Sequence, residues 1–214
     1  MSQINQIPNP ALPYAANVYH PAFMDQYSQV LRLYFTQMTG AMNNVIGTNG
    51  GQFIDCPNGL FFNTADQTFA ATNTAYPVVY NQTYLSNAVR LREGSTSEIE
   101  VLIGGIYNFQ YSGQLLSTNG SAKDIFLWIK RNGIAIGYST HAYTMRNSND
   151  YIEISWNFNI DLAAGEYLEL EIATTNTNAR LDAVAPTSPH PGIPSSVMAV
   201  NFIAPLPVPR PTAP

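Results

Sequence analysis

Side chains that could do chemistry are few and scattered. His20, His141 and His190 each stand alone, with no second His or Cys at the two-to-five-residue interval of a zinc site. Glu98 and Glu100 lie two apart, as do Glu169 and Glu171, with Glu166 close by. Two carboxylates facing each other across a groove could hydrolyse a glycosidic bond. Oxygen-rich turns could hold calcium, and Asp150, Asp161 and Asp182 are the candidates nearest turn signals. A spacing of two instead puts each glutamate pair on one face of a strand, the pattern of a solvated face. No G-x-S-x-G elbow, phosphate-cradling glycine loop or H-E-x-x-H run occurs. The expectation is a protein that is not an enzyme and needs neither cofactor nor metal. Cys56 is the sole cysteine, so an intrachain disulfide is excluded and a buried thiol is expected.

Composition narrows the partners. Charged residues make up 11% of the chain, about half of ordinary usage, and the net charge is -5. The densest positive spots are Lys130-Arg131 and Arg90–Arg92, too little to follow a phosphate backbone, so no direct nucleic-acid contact is expected. No apolar run reaches the ~18 residues of a membrane span. The first residues, MSQINQIPNPALPY, lack the basic and apolar regions of a signal peptide, so neither membrane insertion nor secretion is expected. The sequons at Asn81 and Asn119 are then accidental. A polar, weakly charged surface of Asn, Thr, Ser and Tyr resembles that of capsids, fibres and other assembly proteins.

The elements that must position these residues fall into five stretches. Residues 1–20, rich in Pro and Asn, read as an extended arm that needs a surface to lie on. Residues 21–47 read as one apolar helix, with Tyr27, Val30, Tyr34, Met38, Ala41 and Val45 recurring at three and four. Leu31, Leu33 and Phe35 widen that stripe, so the helix either covers its own domain or bundles with copies of itself. Residues 48–60 form a glycine-rich joint. Residues 61–204 alternate strand and turn, with strands expected at 61–70, 77–84, 88–92, 98–103, 106–117, 124–130, 134–144, 151–160, 167–174, 179–185 and 195–204. Asn132-Gly133 marks a tight turn. About ten strands without an intervening helix predict a mainly β fold, a sandwich, with a barrel as the alternative. Residues 205–214 are a proline-rich tail that cannot join a sheet.

Within this pattern, GGIYNFQYSGQ at 104–114 sets Tyr107, Phe109 and Tyr111 on one strand face behind paired glycines. The order G-x-Y-x-F at Gly105, Tyr107 and Phe109 is followed by Leu127, Ile129, Lys130 and the turn Asn132-Gly133. It resembles the C1q and tumour-necrosis-factor-like jelly rolls. That resemblance implies a ten-strand jelly-roll β-sandwich that assembles as a homotrimer, with the terminal strand at 197–204 running through the subunit centre. Tyr107, Phe109, Tyr111, Trp156 and Phe158 become candidates for the trimer seam. The whole pattern, from FMDQYSQVLRLYF through GTNGGQFIDCPNGLFF to PGIPSSVMAVNFIA, also resembles structural proteins of tailed bacteriophages, especially those of marine cyanobacteria and other aquatic hosts.

This second resemblance implies a virion component made in the host cytoplasm, most simply a trimeric capsid decoration or cement protein. A tail or tail-fibre component is the alternative, although a fibre usually needs a long repetitive shaft. The implied partners are further copies of the chain and the major capsid or tail proteins of the same virion. Val18, Tyr19, Phe23, Tyr27, Leu31 and Tyr34 would anchor the arm and helix to the particle, since aromatics and long aliphatics dominate interface energy. A different class of function, a carbohydrate-binding module for host-surface glycans, would use Trp128, Tyr138 and Trp156 as stacking residues.

Overall fold

The computed structural model describes residues 10–12, 18, 20–46 and 56–206. The chain divides into two compact units, Met1–Asp55 and Cys56–Pro214. In the first, α1 spans Pro21–Ile46, close to the expected bounds. Pro21 suits its first position because the missing N–H would have had no intrahelical partner. Most of the arm and tail, and residues 48–55 of the joint, lie outside the described residues.

Among its described residues the second unit holds fourteen strands in two antiparallel sheets. In chain order they are β1 Asn58–Asn63, β2 Gln67–Thr68, β3 Tyr76–Pro77, β4 Gln82–Asn87, β5 Val89–Leu91, β6 Ile99–Val101 and β7 Gly105–Ser117. There follow β8 Lys123–Arg131, β9 Ile134–Ala135, β10 His141–Met145, β11 Tyr151–Leu162, β12 Tyr167–Thr174, β13 Ala179–Leu181 and β14 Ser196–Ala204. The first sheet runs β11, β7, β14, β1, β4, with β13 and β2 continuing it beside the far end of β7. The second runs β10, β8, β12, β6, β5, with β3 and β9 added at its margins. This is a jelly-roll β-sandwich.

Period-two alternation decides which side chains fill the space between the sheets. From the first sheet come Tyr107, Phe109, Tyr111 and Leu115 of β7, Ile154 and Leu162 of β11, and Met198 and Val200 of β14. From the second come Ile125, Leu127 and Ile129 of β8 with Leu168, Leu170 and Ile172 of β12. Each fully buried side chain of this size is worth about 1.5–3 kcal/mol relative to exposure. Two of the glycines make this packing possible through their lack of a side chain. A Cβ on Gly105 would come within 2.3 Å of the Phe202 ring, and one on Gly113 within 2.3 Å of the Tyr111 hydroxyl.

Several expected strands are broken, each for a local reason. The 61–70 strand stops at Asn63, whose side-chain oxygen accepts from Ala65 N–H at 2.9 Å and turns the chain. The 134–144 strand separates into β9 and β10 at Tyr138, where φ is +60°. Asn132 and Gly133, at φ +50° and +80°, make the tight turn their types predict. Cys56, expected buried, is exposed beside the start of β1.

Two phenols in the core are fully buried with no hydrogen-bond partner among the described residues, those of Tyr80 and Tyr111. Burial pushes both well above the ordinary phenol range, so they stay neutral. An unpaired buried hydroxyl carries a desolvation cost of about 1–3 kcal/mol. Tyr111→Phe is therefore expected to raise the midpoint of thermal or urea unfolding. Gly113→Ala is expected to lower stability by about 1–3 kcal/mol through overpacking, with partial recovery when combined with Tyr111→Phe. A Tyr111→Phe variant less stable than the parent would contradict this account of the core.

Candidate functional site

The two outer faces of the sandwich differ sharply in charge. On the second sheet, Arg90 of β5 faces Glu100 of β6 and donates to it at 2.8 Å. Arg92 reaches Glu98 at 3.0 Å and lies over the Tyr167 ring at 4.6 Å. Lys130 of β8 bridges Glu171 at 2.8 Å and Glu169 at 3.3 Å on β12. Arg131 contacts Glu166 at 2.5 Å and Asp161 at 3.5 Å. The glutamates that could have formed a catalytic pair are held by arginine and lysine. Glu169 differs from the solvated-face expectation, because it is buried and accepts a short hydrogen bond from Ser97.

The first sheet presents the opposite surface. Register across β14, β7 and β11 lines up Val197, Ser112 and Ser155 in one rung, then Ala199, Gln110 and Asn157, then Asn201, Asn108 and Asn159. These nine outward positions carry no charge. Their amides bond to one another: Asn108 donates across to Asn159 Oδ1 of β11 at 2.8 Å, and Gln110 donates along β7 to Asn108 Oδ1 at 2.8 Å. A cavity of about 620 Å³ opens here, bordered by Gln110, Ser112, Ser155, Asn157, Val197 and Ala199. Glu153 and Asp161 are the nearest charges along β11, one at each end of the rungs, and Ser112 donates to Glu153 at 2.8 Å. On β1 the half-buried Leu60 and Phe62 alternate with buried neighbours and extend this face with apolar groups.

Between the faces, the sandwich has an open edge where β11 of one sheet and β10 of the other each pair on one side only. Trp156 and Phe158 point between the sheets but lie too near the edge to be covered, and both remain half-buried. Their ring centroids are 4.8 Å apart; Phe158 stacks on Phe109 at 5.5 Å and Trp156 lies 4.3 Å from the His141 ring.

The five seam candidates therefore separate. Tyr107, Phe109 and Tyr111 are at most 2% exposed and are spent in the core of this sandwich. Only Trp156 and Phe158 keep surface at an edge another molecule could reach. Gly104 and Gly105 have no positive φ and serve close packing, against Leu206 and Phe202. The glycan-stacking candidates do not converge: Trp128 is on the outward face of the second sheet, Tyr138 is fully exposed on a loop, and Trp156 belongs to the edge. Val18 is exposed, Phe23, Tyr27, Leu31 and Tyr34 are half-buried on α1, and Tyr19 lies outside the described residues.

Among the described residues no three His, Cys, Asp or Glu side chains gather as a metal site. Asp182 is engaged by Arg180 at 2.6 Å and Tyr151 at 3.2 Å, and Asp150 accepts from Asn147 N–H at 3.0 Å. A residue sequence reading passed over is Lys123, at the inward end of β8. It is buried, and its ammonium donates to Ser117 Oγ, Asn119 O and Asn119 Oδ1 at 2.6, 2.9 and 3.0 Å. Burial lowers its pKa. The amide rungs were also missed, since alternating Asn, Gln and Ser read as an ordinary solvent face.

With this geometry in place, comparison with known proteins returns little. No protein-family model and no curated protein matches the chain. Among solved structures it is similar to murine APRIL, a jelly-roll protein of the tumour-necrosis-factor and C1q family. The identity is 13%, with 69% of this chain and 99% of that one covered, at a TM-score of 0.44. No property of that protein transfers at this level.

The charged face makes a prediction about pH. Burial is the largest influence on Glu166 and pushes its carboxyl up, but hydrogen bonds from Arg131, Ala163 N–H and Asn132 together outweigh it and hold the pKa below the ordinary value. Stability from this group is present above the unfolded carboxylate pKa, about 4.3, and is lost as pH falls through the lower folded value. Glu166→Gln is expected to be less stable than the parent at pH 7 and to lose less stability between pH 5 and 3. Parallel stability-against-pH curves for the two proteins would reject the assignment.

Proposed function

We propose that the chain is a virion structural protein of a tailed bacteriophage, a homotrimeric capsid decoration or cement protein. The observation that carries assembly is the charge segregation between the two outer faces. A surface meant only for water has no reason to gather Arg90, Arg92, Lys130 and Arg131 with their glutamates on one sheet and to set nine uncharged residues side by side at the middle of the other, whose own pairs, Arg180 with Asp66 and Asp182, lie at its β13 end. Interfaces are depleted of charge at their centres, and amides with methyl groups and rings can be desolvated there more cheaply than ions. In this reading the second sheet faces solvent, and the first sheet of one subunit meets the open edge of the next, with Trp156 and Phe158 as anchors. Such a head-to-tail contact closes into a ring when its rotation is one third of a turn.

The phage resemblance and the charge-poor composition support a place in the virion, reached by assembly in the host cytoplasm. The arm and helix would then attach the trimer to the major capsid protein. An arm pays an ordering cost and recovers it by burying surface on a partner; Val18 and Tyr19 suit that role. Electron micrographs of the virion with the protein labelled test the placement. Density over the capsid shell is expected, and density confined to the tail would overturn decoration.

Two measurements test the assembly. Sedimentation at micromolar concentration is expected to give three times the 23.5 kDa chain mass. Ala199→Arg, which sets a charge at the middle of the neutral face, is expected to yield monomer with an unchanged far-ultraviolet circular dichroism spectrum. Arg90→Ala on the charged face should leave the trimer intact. A parent protein that sediments as a monodisperse monomer would overturn the reading.

A further inference from the structure

From the surface of α1 we infer that the helices of neighbouring copies bundle with one another, forming a second oligomerisation element in the first unit of the chain. The inference rests on the trimer reading for its copy number but on different residues.

The side chains of α1 sort into parallel stripes, of which three keep a regular alternation and a fourth, Ala22, Gln26, Leu33, Gln37 and Gly40, lies opposite the first. Met24, Leu31, Phe35, Met38 and Met42 form one, with Ser28 completing a strict alternation of four and three. Phe23, Tyr27, Val30, Tyr34 and Ala41 form a second, adjoining the first. At 100° per residue the two apolar stripes together span about 160° of the circumference, wider than the seam of a two-stranded coiled coil. A helix with two adjoining seams is satisfied when it meets two neighbours at once, which a bundle of three gives every member.

Exposure agrees with this. On the first stripe Met24, Phe35 and Met42 are 44%, 57% and 53% exposed, a row a 26-residue helix cannot keep in water without cost; Leu33, 62% exposed, stands by itself among Gln26, Gln37 and Gly40 outside both seams. The two charges of the helix, Asp25 and Arg32, both lie on the polar stripe, so parallel copies can approach along either seam without burying an ion. A seven-residue repeat, rather than the drift of an undistorted helix, indicates another supercoiled helix as the occupant. Once sandwiches assemble, each helix is held close to its sisters, so even weak seams associate. Leu31 then belongs to the bundle, and Val18 with the residues before α1 is left to reach the particle.

Disulfide trapping in the full chain tests this. In a Cys56→Ser background, Leu31→Cys and separately Met38→Cys place a thiol on the first stripe, while Gln29→Cys places one on the polar stripe. Under mild oxidation the two stripe variants are expected to give covalent dimers on a non-reducing gel at least tenfold faster than Gln29→Cys. Far-ultraviolet circular dichroism checks that each variant keeps its helix. A protein that sediments as a trimer yet traps no faster at Leu31 and Met38 than at Gln29 would overturn the helix bundle and leave the sandwich trimer standing. Trapping at Leu31 and Met38 in a protein whose Ala199→Arg form still self-associates would support the bundle independently of the sandwich. No trapping in a protein that sediments as a monomer would overturn both.

Discussion

The two-sided ladder along β7 is the constraint on which the rest of the sandwich depends. β11 pairs with it from Gly105 to Leu116, and β14 followed by β13 covers its other side. A strand bonded along both flanks cannot slip by one residue without turning every ring outward. Tyr107, Phe109 and Tyr111 are thereby fixed toward the second sheet, and the intervening Asn108, Gln110 and Ser112 are fixed toward the outside. Gly105 and Gly113 keep that register compatible with the Phe202 ring and the Tyr111 phenol. Core and outer face are two consequences of one alternation.

Much of this was legible in the sequence because its signals are local. The three-and-four spacing from Tyr27 onward marked α1, and Ile152, Ile154, Trp156, Phe158 and Ile160 marked β11. What period two does not contain is direction. It shows that three rings share a face, but a core and a subunit seam reward the same pattern, so the seam reading of Tyr107, Phe109 and Tyr111 gave way once their burial was known. Strand breaks escaped for another reason. Ala88 and Tyr138 adopt positive φ without being Gly or Asn, a conformation imposed by the surrounding chain that residue type does not announce. The exposed thiol of Cys56 likewise depends on where a joint ends, which no neighbouring residue encodes.

The candidate surface was the least legible part, and its chemistry explains why. Asn, Gln and Ser at alternate positions of β7 and β11 are what any solvated strand would carry. Their meaning appears only when strands distant in sequence are brought side by side, with β14 contributing Val197, Ala199 and Asn201. The charges on the other sheet add the contrast, since Arg90, Arg92, Lys130 and Arg131 are all matched there by glutamates. Hydrophobic patterning specified the interior, whereas the distribution of charge between faces emerges at the level of the folded sheet.

The uncharged rungs have a consequence for the medium in which such a protein can work. Ionic interactions across an exposed surface are screened over about 8 Å in physiological salt and about 3 Å at one molar. A contact built from amides, hydroxyls and methyl groups offers dissolved ions nothing to screen. Apolar association is, if anything, reinforced by strongly hydrated anions such as sulfate. Any contact made through the neutral rungs would therefore hold in dilute and in concentrated salt alike, whereas one made through the charged sheet would weaken as salt is added.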